Sequence, residues 1–342
     1  MRSRIAERLT AQALSGLPLK RPVDVAERLL AVQGQDPCGA RLAVRARTTG
    51  LAAADVDRAL TEDRSLLITW LNRGTLHLVR SEDYPWLHTL TTPPLLTSSA
   101  TRLSQEGVTP RAAERGVETI EHSLVEEGPL TRPQLRERLD SAGVRTEGQA
   151  LVHLLFRATL RGIAIRGPMV GKEHAYVLTR DWLGPQKPVD RDAALAELAR
   201  RYLAGHGPAD DRDLARWAGL PLRDSRAGLA AIGSELLERD DGLVDLAKRP
   251  PVAEPPPPRL LGAFDPLLLG WVSREEVVGP HKMLVTNNGI FRPFALAGGR
   301  AVATWRFNAG KVTIEHLGKV TKKAAAALEA DATEVERFLA GP

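Results

Sequence analysis

Within residues 1–248 the chain repeats one order of signals three times: two or three amphipathic helical runs, then two β-rich runs around a turn. That recurrence restricts the fold more than any other feature, because helices followed by a hairpin form the winged helix. In the first round, Ser3 to Leu14, Val23 to Leu30 and roughly Ala52 to Leu60 carry apolar residues at helical spacing. Pro22 stands at a first-turn position, where its missing N–H has no intrahelical partner. Leu66 to Leu71 and Thr75 to Val79 then flank Asn72-Arg73-Gly74, a turn whose Asn and Gly accept positive φ cheaply. In the second round, a helix over Ala113 to Glu126 precedes Thr131-Arg132-Pro133-Gln134, a capping box opening a helix that runs to about Ala142. A helix over Gly148 to Arg161 and a hairpin of Ile163 to Arg166 with Ala175 to Leu178 complete it. In the third, a helical run from Ala193 through Leu203 breaks at Gly207-Pro208. Asp210 or Asp211 caps a helix holding Leu214 and Trp217, a helix over Ser225 to Ile232 follows, and Asp240-Asp241-Gly242 turns a short two-strand wing.

Arg249 to Pro258 reads as a stiff, extended proline-rich linker. Beyond it the pattern is a β-meander, with runs over Lys282 to Thr286, Ile290 to Leu296, Ala301 to Phe307 and Lys311 to His316. Asn287-Asn288-Gly289 and Gly298-Gly299 supply turns, and an Ala-rich helix follows from about Lys322 to Leu339. The expected class is α+β, with winged helix-turn-helix units at 1–92, 93–185 and 186–248, the linker at 249–258, and a basic antiparallel β-region with a terminal helix at 259–342.

Several chemistries are disfavoured. No apolar run approaches membrane-spanning length and the N-terminal stretch lacks a secretory apolar region, so a cytoplasmic location without a membrane partner is expected. One cysteine, Cys38, leaves no internal disulfide, and eight histidines outside any H-E-x-x-H pattern argue against zinc. Gly167 to Lys172 is one residue short of a phosphate-binding loop and is followed by Glu173 where a magnesium-binding hydroxyl is needed. No metal or cofactor is expected, so any catalysis uses ordinary side chains and water.

Within Ala31-Val32-Gln33-Gly34-Gln35-Asp36-Pro37, two glutamines one residue apart end an amphipathic run just before a proline. An amide offers an acceptor and two donors on a neutral group, so such a pair can orient a water without ionising. The same pair could equally satisfy backbone groups where a helix gives way to a loop. Charge is distributed unevenly. Residues 1–50 hold nine Lys/Arg, among them Arg41 and Arg45, against four acids; Arg259 to Lys323 hold ten, including Lys282, Arg292 and Arg306, against four. Two basic regions around a nearly balanced middle suggest a bound polyanion, although solvated faces give the same pattern.

Gln33-Gly34-Gln35-Asp36-Pro37, Arg73-Gly74-Thr75-Leu76-His77-Leu78, His206-Gly207-Pro208 with Trp217-Ala218-Gly219-Leu220, and Phe264-Asp265-Pro266-Leu267-Leu268-Leu269-Gly270 with Gly289-Ile290-Phe291-Arg292-Pro293 occur in this order over nearly the whole chain. Together they resemble the AlkZ-like winged-helix DNA glycosylases. The resemblance implies a C-shaped scaffold of tandem winged helices around a basic cleft, and removal of alkylated purines, including bulky and cross-linking adducts. It implies that Gln33 and Gln35 are the catalytic pair, with Gly34 replacing the usual aliphatic residue. Arg73, Thr75 and His77 on the hairpin are expected lesion or phosphate contacts, with a structural core residue the equal alternative for His77. Arg41, Arg45, Lys172, Lys282, Arg292 and Arg306 are expected to hold double-stranded DNA, supplying affinity without sequence information. Trp70 is expected in packing. A monofunctional enzyme is anticipated, since no lysine lies between Gln33 and Pro37, and a monomer, since three units lie in one chain. The competing class is a winged-helix regulator or architectural protein without catalysis; regulators usually dimerise on a two-fold operator, whereas this chain carries three units.

Overall fold

The computed structural model describes residues 3–171, 173–286 and 288–340, which form two compact units: residues 1–56 with 195–342, and residues 57–194.

In the first unit, helix Pro22–Leu29 opens with Pro22 in its first turn and a capping box between Arg21 and Asp24. Helix Pro37–Arg45 is a departure from the sequence reading, which took Pro37 as the end of the glutamine stretch. The Asp36 carboxylate accepts from the Cys38 amide and Pro37 fits the first turn, so the residues that close the motif also start a helix. Gly39, Ala40, Leu42, Ala43 and Val44 form its buried side. The third round of signals is observed as helices Arg191–His206, Asp211–Ala218 and Leu222–Ala231 with strands Leu236–Glu238 and Val244–Leu246. Asp210 caps the middle helix by accepting from the Asp213 amide, and Gly219 ends it in the left-handed region.

The β-region of this unit is an antiparallel sheet in the order Lys311–His316, Arg300–Asn308, Phe294–Ala297, Arg259–Leu261. Helix Lys322–Ala340 buries Leu328, Ala332, Val335 and Phe338. The strand expected over Lys282 to Thr286 is instead a 3-10 turn at Lys282–Leu284, with only Val285 bridging to Phe291. Lys282 and Met283 are both exposed, so the inward-outward alternation of a strand is missing there. The next strand starts at Phe294, after Pro293, which has no N–H for a ladder. Asn287 lies outside the described residues.

In the second unit, strands Leu66–Leu71 and Thr75–Arg80 pair in continuous register, and Ala164–Val170 pairs with Glu173–Leu178 with a register shift between Arg166 and Met169. The sequence treats these as two separate wings. They are joined through Ile68 and Arg166, so the strands run Thr75–Arg80, Leu66–Leu71, Ala164–Val170, Glu173–Leu178. Leu66–Leu71 is therefore interior, which is why its six residues are all buried and read as a continuous apolar run. Helices Pro110–Glu127, Arg132–Ser141 and Ala150–Leu160 stand where expected, with the Thr131–Gln134 box formed. Tyr84–Thr91 and Pro93–Gln105 are additional helices.

Candidate functional site

The chain leaves helix Pro22–Leu29 through Leu30, a fully buried residue at φ 63°. A branched side chain rarely adopts that backbone conformation, and here its burial holds it there. Val32 and Gln33 are then extended, and Asp36 begins the next helix. Gln33 is buried at 5 % exposure while Gln35 is exposed, and the Gln33 Nε2 donates to Gln35 Oε1. That bond uses one of the two lone pairs on Gln35 Oε1 and fixes the plane of its amide, leaving the second lone pair available to a water. The neighbouring groups are not nucleophiles. Asp36 is engaged as a helix cap at 2.9 Å, and burial, with Asp36 beside it, pushes the Cys38 thiol up to about 11.

The helix that follows the glutamines is clamped at both ends. A Cβ on Gly39 would lie 2.3 Å from the Ala263 carbonyl oxygen, so only glycine permits this approach of helix to chain. Past its last turn, all five N–H groups of Arg47 are satisfied: on Asp265 at 2.9 and 3.0 Å, on Gln12 O and Oε1 at 2.8 and 2.9 Å, and on Ala43 O at 3.0 Å. Both ion-pair side chains are completely buried, and Asp265 also accepts from the Leu267 amide. Gln12 in turn donates to Gly205 O. Sequence reasoning gave Gly39, Arg47 and Asp265 no role; Asp265 in an otherwise apolar stretch, Phe264 to Gly270, is the one visible signal.

Other expected contacts fall into distinct environments. The Arg45 side chain, 11 % exposed, is bound to Asp331, tying its helix to helix Lys322–Ala340. Arg41 is half-buried and donates to Pro37 O. Lys282, Arg292 and Arg306 are exposed, and Lys172 lies outside the described residues. In the second unit, His77 is buried with its Nδ1–H donating to Thr75 O at 2.9 Å. Burial, with the nearby Arg73 charge, pushes its pKa down to about 3, so it is neutral and offers no cation to a phosphate. Register places Thr69 opposite His77 and Leu71 opposite Thr75, so these four share one face of the hairpin. The Thr69 and Thr75 hydroxyls and both polar atoms of the Asn72 amide are buried without partners, polar capacity that Thr and Asn in an apolar run could have signalled. Trp70 packs edge-on against Phe156, as expected of a packing residue.

The His206 motif is packed into the scaffold. His206 stacks on Tyr202 with centroids 4.9 Å apart, accepts at its backbone oxygen from Trp271 Nε1, and is held neutral, near 3, by burial. Among the described residues no group of three or more His, Cys, Asp or Glu could hold a metal ion, and no helix is long and apolar enough to cross a membrane.

Residues 26–338 match the family described as DNA glycosylase AlkZ-like. The chain is similar to the interstrand DNA cross-link repair glycosylase of Streptomyces sahachiroi, with 31 % identity over 92 % of this chain and 90 % of that protein. It superimposes on the solved structure of the Streptomyces sahachiroi DNA glycosylase AlkZ with a TM-score of 0.81 and 28 % identity, covering 99 % of this chain and 97 % of the other.

Proposed function

Because the chain belongs to the AlkZ-like DNA glycosylases, we propose that it hydrolyses the N-glycosidic bond of N7- or N3-alkylated purines in double-stranded DNA, with Gln33 and Gln35 orienting the attacking water. Alkylation at either position puts positive charge on the base. The base is then a good leaving group, and the bond breaks toward an oxocarbenium-like sugar. A strong general base is unnecessary; what remains is to place a water on the opposite face and stabilise developing charge. The single observation carrying this reading is the amide pair itself, one glutamine buried and hydrogen-bonded to the other, which is exposed. Gln35 Oε1 keeps a lone pair for the water, and neither amide can ionise and trap the sugar cation.

Bulky and cross-linking adducts belong to the proposed substrates, since the similar protein of Streptomyces sahachiroi is named for cross-link repair. Exposed Lys282, Arg292 and Arg306 would contact phosphates. Arg45 and His77 would act by packing, given their ion pair and their burial. The absence of lysine from Gln33 to Pro37 supports a monofunctional enzyme that leaves an intact abasic site, and three winged-helix signals in one chain support a monomer. The decisive experiment incubates the protein with a duplex carrying one N7-alkylguanine and scores alkali-labile sites. Binding to the duplex without any such sites would instead favour a non-catalytic DNA-binding protein.

A further inference from the structure

Inside the first unit, a cavity of about 270 Å³ lies between helix Arg4–Ala11, helix Pro22–Leu29, the hairpin of Leu236–Glu238 and Val244–Leu246, and the chain from Arg249 to Val252. Five charged side chains line it. Four are neutralised in pairs: Arg239 with Glu7 at 3.1 Å, and Arg249 with Asp245. The fifth, Arg28, has no hydrogen bond or ion pair among the described residues, although it is more than half removed from water. Burial is the main cause of a lowered Arg28 pKa and the Arg249 charge adds to it, while Glu27 only partly opposes them. A partly desolvated guanidinium beside the Arg249 charge, with no partner among the described residues, gains from pairing with an anionic ligand. Apart from Thr10 the rest of the wall is apolar, with Leu246 and Val252 lining it beside Leu237, a leucine left 52 % exposed.

We propose that this cavity binds a small organic acid, a carboxylate or phosphate monoester on one ring or a short chain. Its oxyanion pairs with Arg28, bidentately, and its apolar body covers Leu237, Leu246 and Val252. The lining mixes apolar side chains with arginines already paired to acids, and this favours a free small molecule over a phosphodiester of DNA, which would need a run of unpaired cations. The proposal does not depend on the catalytic reading.

The test titrates the full chain with phenyl phosphate and, as a neutral match of similar size, benzyl alcohol, by calorimetry and thermal melting. Phenyl phosphate should bind saturably and raise the melting midpoint, and benzyl alcohol should do neither. Arg28→Gln should weaken phenyl phosphate by at least about 10-fold, the loss expected for one charge-assisted pair. Arg28→Lys should keep part of the affinity. Without ligand, Arg28→Gln should melt no lower than the parent, because Arg28 makes no bond. The proposal is overturned if phenyl phosphate does not saturate, or if Arg28→Gln binds it as well as the parent. It is also overturned, in favour of a DNA phosphate contact, if Arg28→Gln weakens binding of an undamaged duplex and lowers the log–log salt slope by about one.

Discussion

Replacing Asp265 with asparagine tests whether the helix following the glutamines is held by its buried ion pair. The substitution is nearly isosteric and its one oxygen can still accept from Arg47 Nη2 and the Leu267 amide, so shape is conserved while the charge and the acceptor for Arg47 Nη1 are lost. Both side chains are completely buried, so the Arg47 cation would be left without its counter-charge and without water. Breaking such a pair typically costs about 3–5 kcal/mol, a large share of the roughly 5–15 kcal/mol that stabilises a folded domain. For a unit of residues 1–56 with 195–342, each kcal/mol moves the midpoint by about 2–4 °C, so a loss of about 3 kcal/mol lowers melting by about 6–12 °C. Calorimetry of Asp265→Asn reads that shift. The paired change Arg47→Met with Asp265→Leu should recover most of it, since a buried pair replaced by apolar residues of similar volume is often neutral or stabilising. If Asp265→Asn melts within about 1 °C of the parent, the pair does not anchor the helix and the argument from burial fails.

Further outcomes follow from the same geometry. Gln33→Ala or Gln35→Ala should slow single-turnover excision by roughly 10²–10³-fold while duplex affinity stays unchanged, with Gln35→Asp retaining more activity than Gln35→Ala; a defect confined to affinity would make the pair structural. Affinity for undamaged duplex should fall steeply with salt, about 0.9 in log–log slope per neutralised phosphate, and Lys282→Gln, Arg292→Gln and Arg306→Gln should each reduce that slope. The Cys38 thiol, held near 11, should react with iodoacetamide at pH 8 about 100-fold more slowly than after denaturation, as mass spectrometry can follow. His77 and His206 refuse a proton until about pH 3 when folded but take one below about 6.5 when unfolded. The unfolded chain then binds more protons, so their stability is present above 6.5 and lost as pH falls. Between pH 7 and 5 that is up to about 2 kcal/mol per histidine, and urea midpoints that do not move over this range would contradict it.

Local chemistry is what the sequence by itself determined. Pro22, Thr131 with Gln134, Asp210 and Gly219 satisfy or terminate backbone groups within four residues, so helix ends there could be read directly. Asn72-Arg73-Gly74 set the first hairpin for the same reason, since turn geometry depends on the turn residues alone. The glutamine pair was visible too, because two amides one residue apart meet through their own short side chains. Tertiary structure decided everything that depends on which distant surface arrives. Ile68 joins Arg166 and makes one sheet of two wings; Arg47 finds Asp265 across 218 positions; Gly39 must be glycine only because Ala263 lies against it. Arg45 in a basic stretch looks like an exposed contact in sequence, yet it is bound to Asp331, and His77, for which the sequence left contact and core both open, is buried and neutral. Residue type fixes what a side chain can do, but burial and counter-charge fix its ionisation and its reach, and both are properties of packing between segments far apart in the chain.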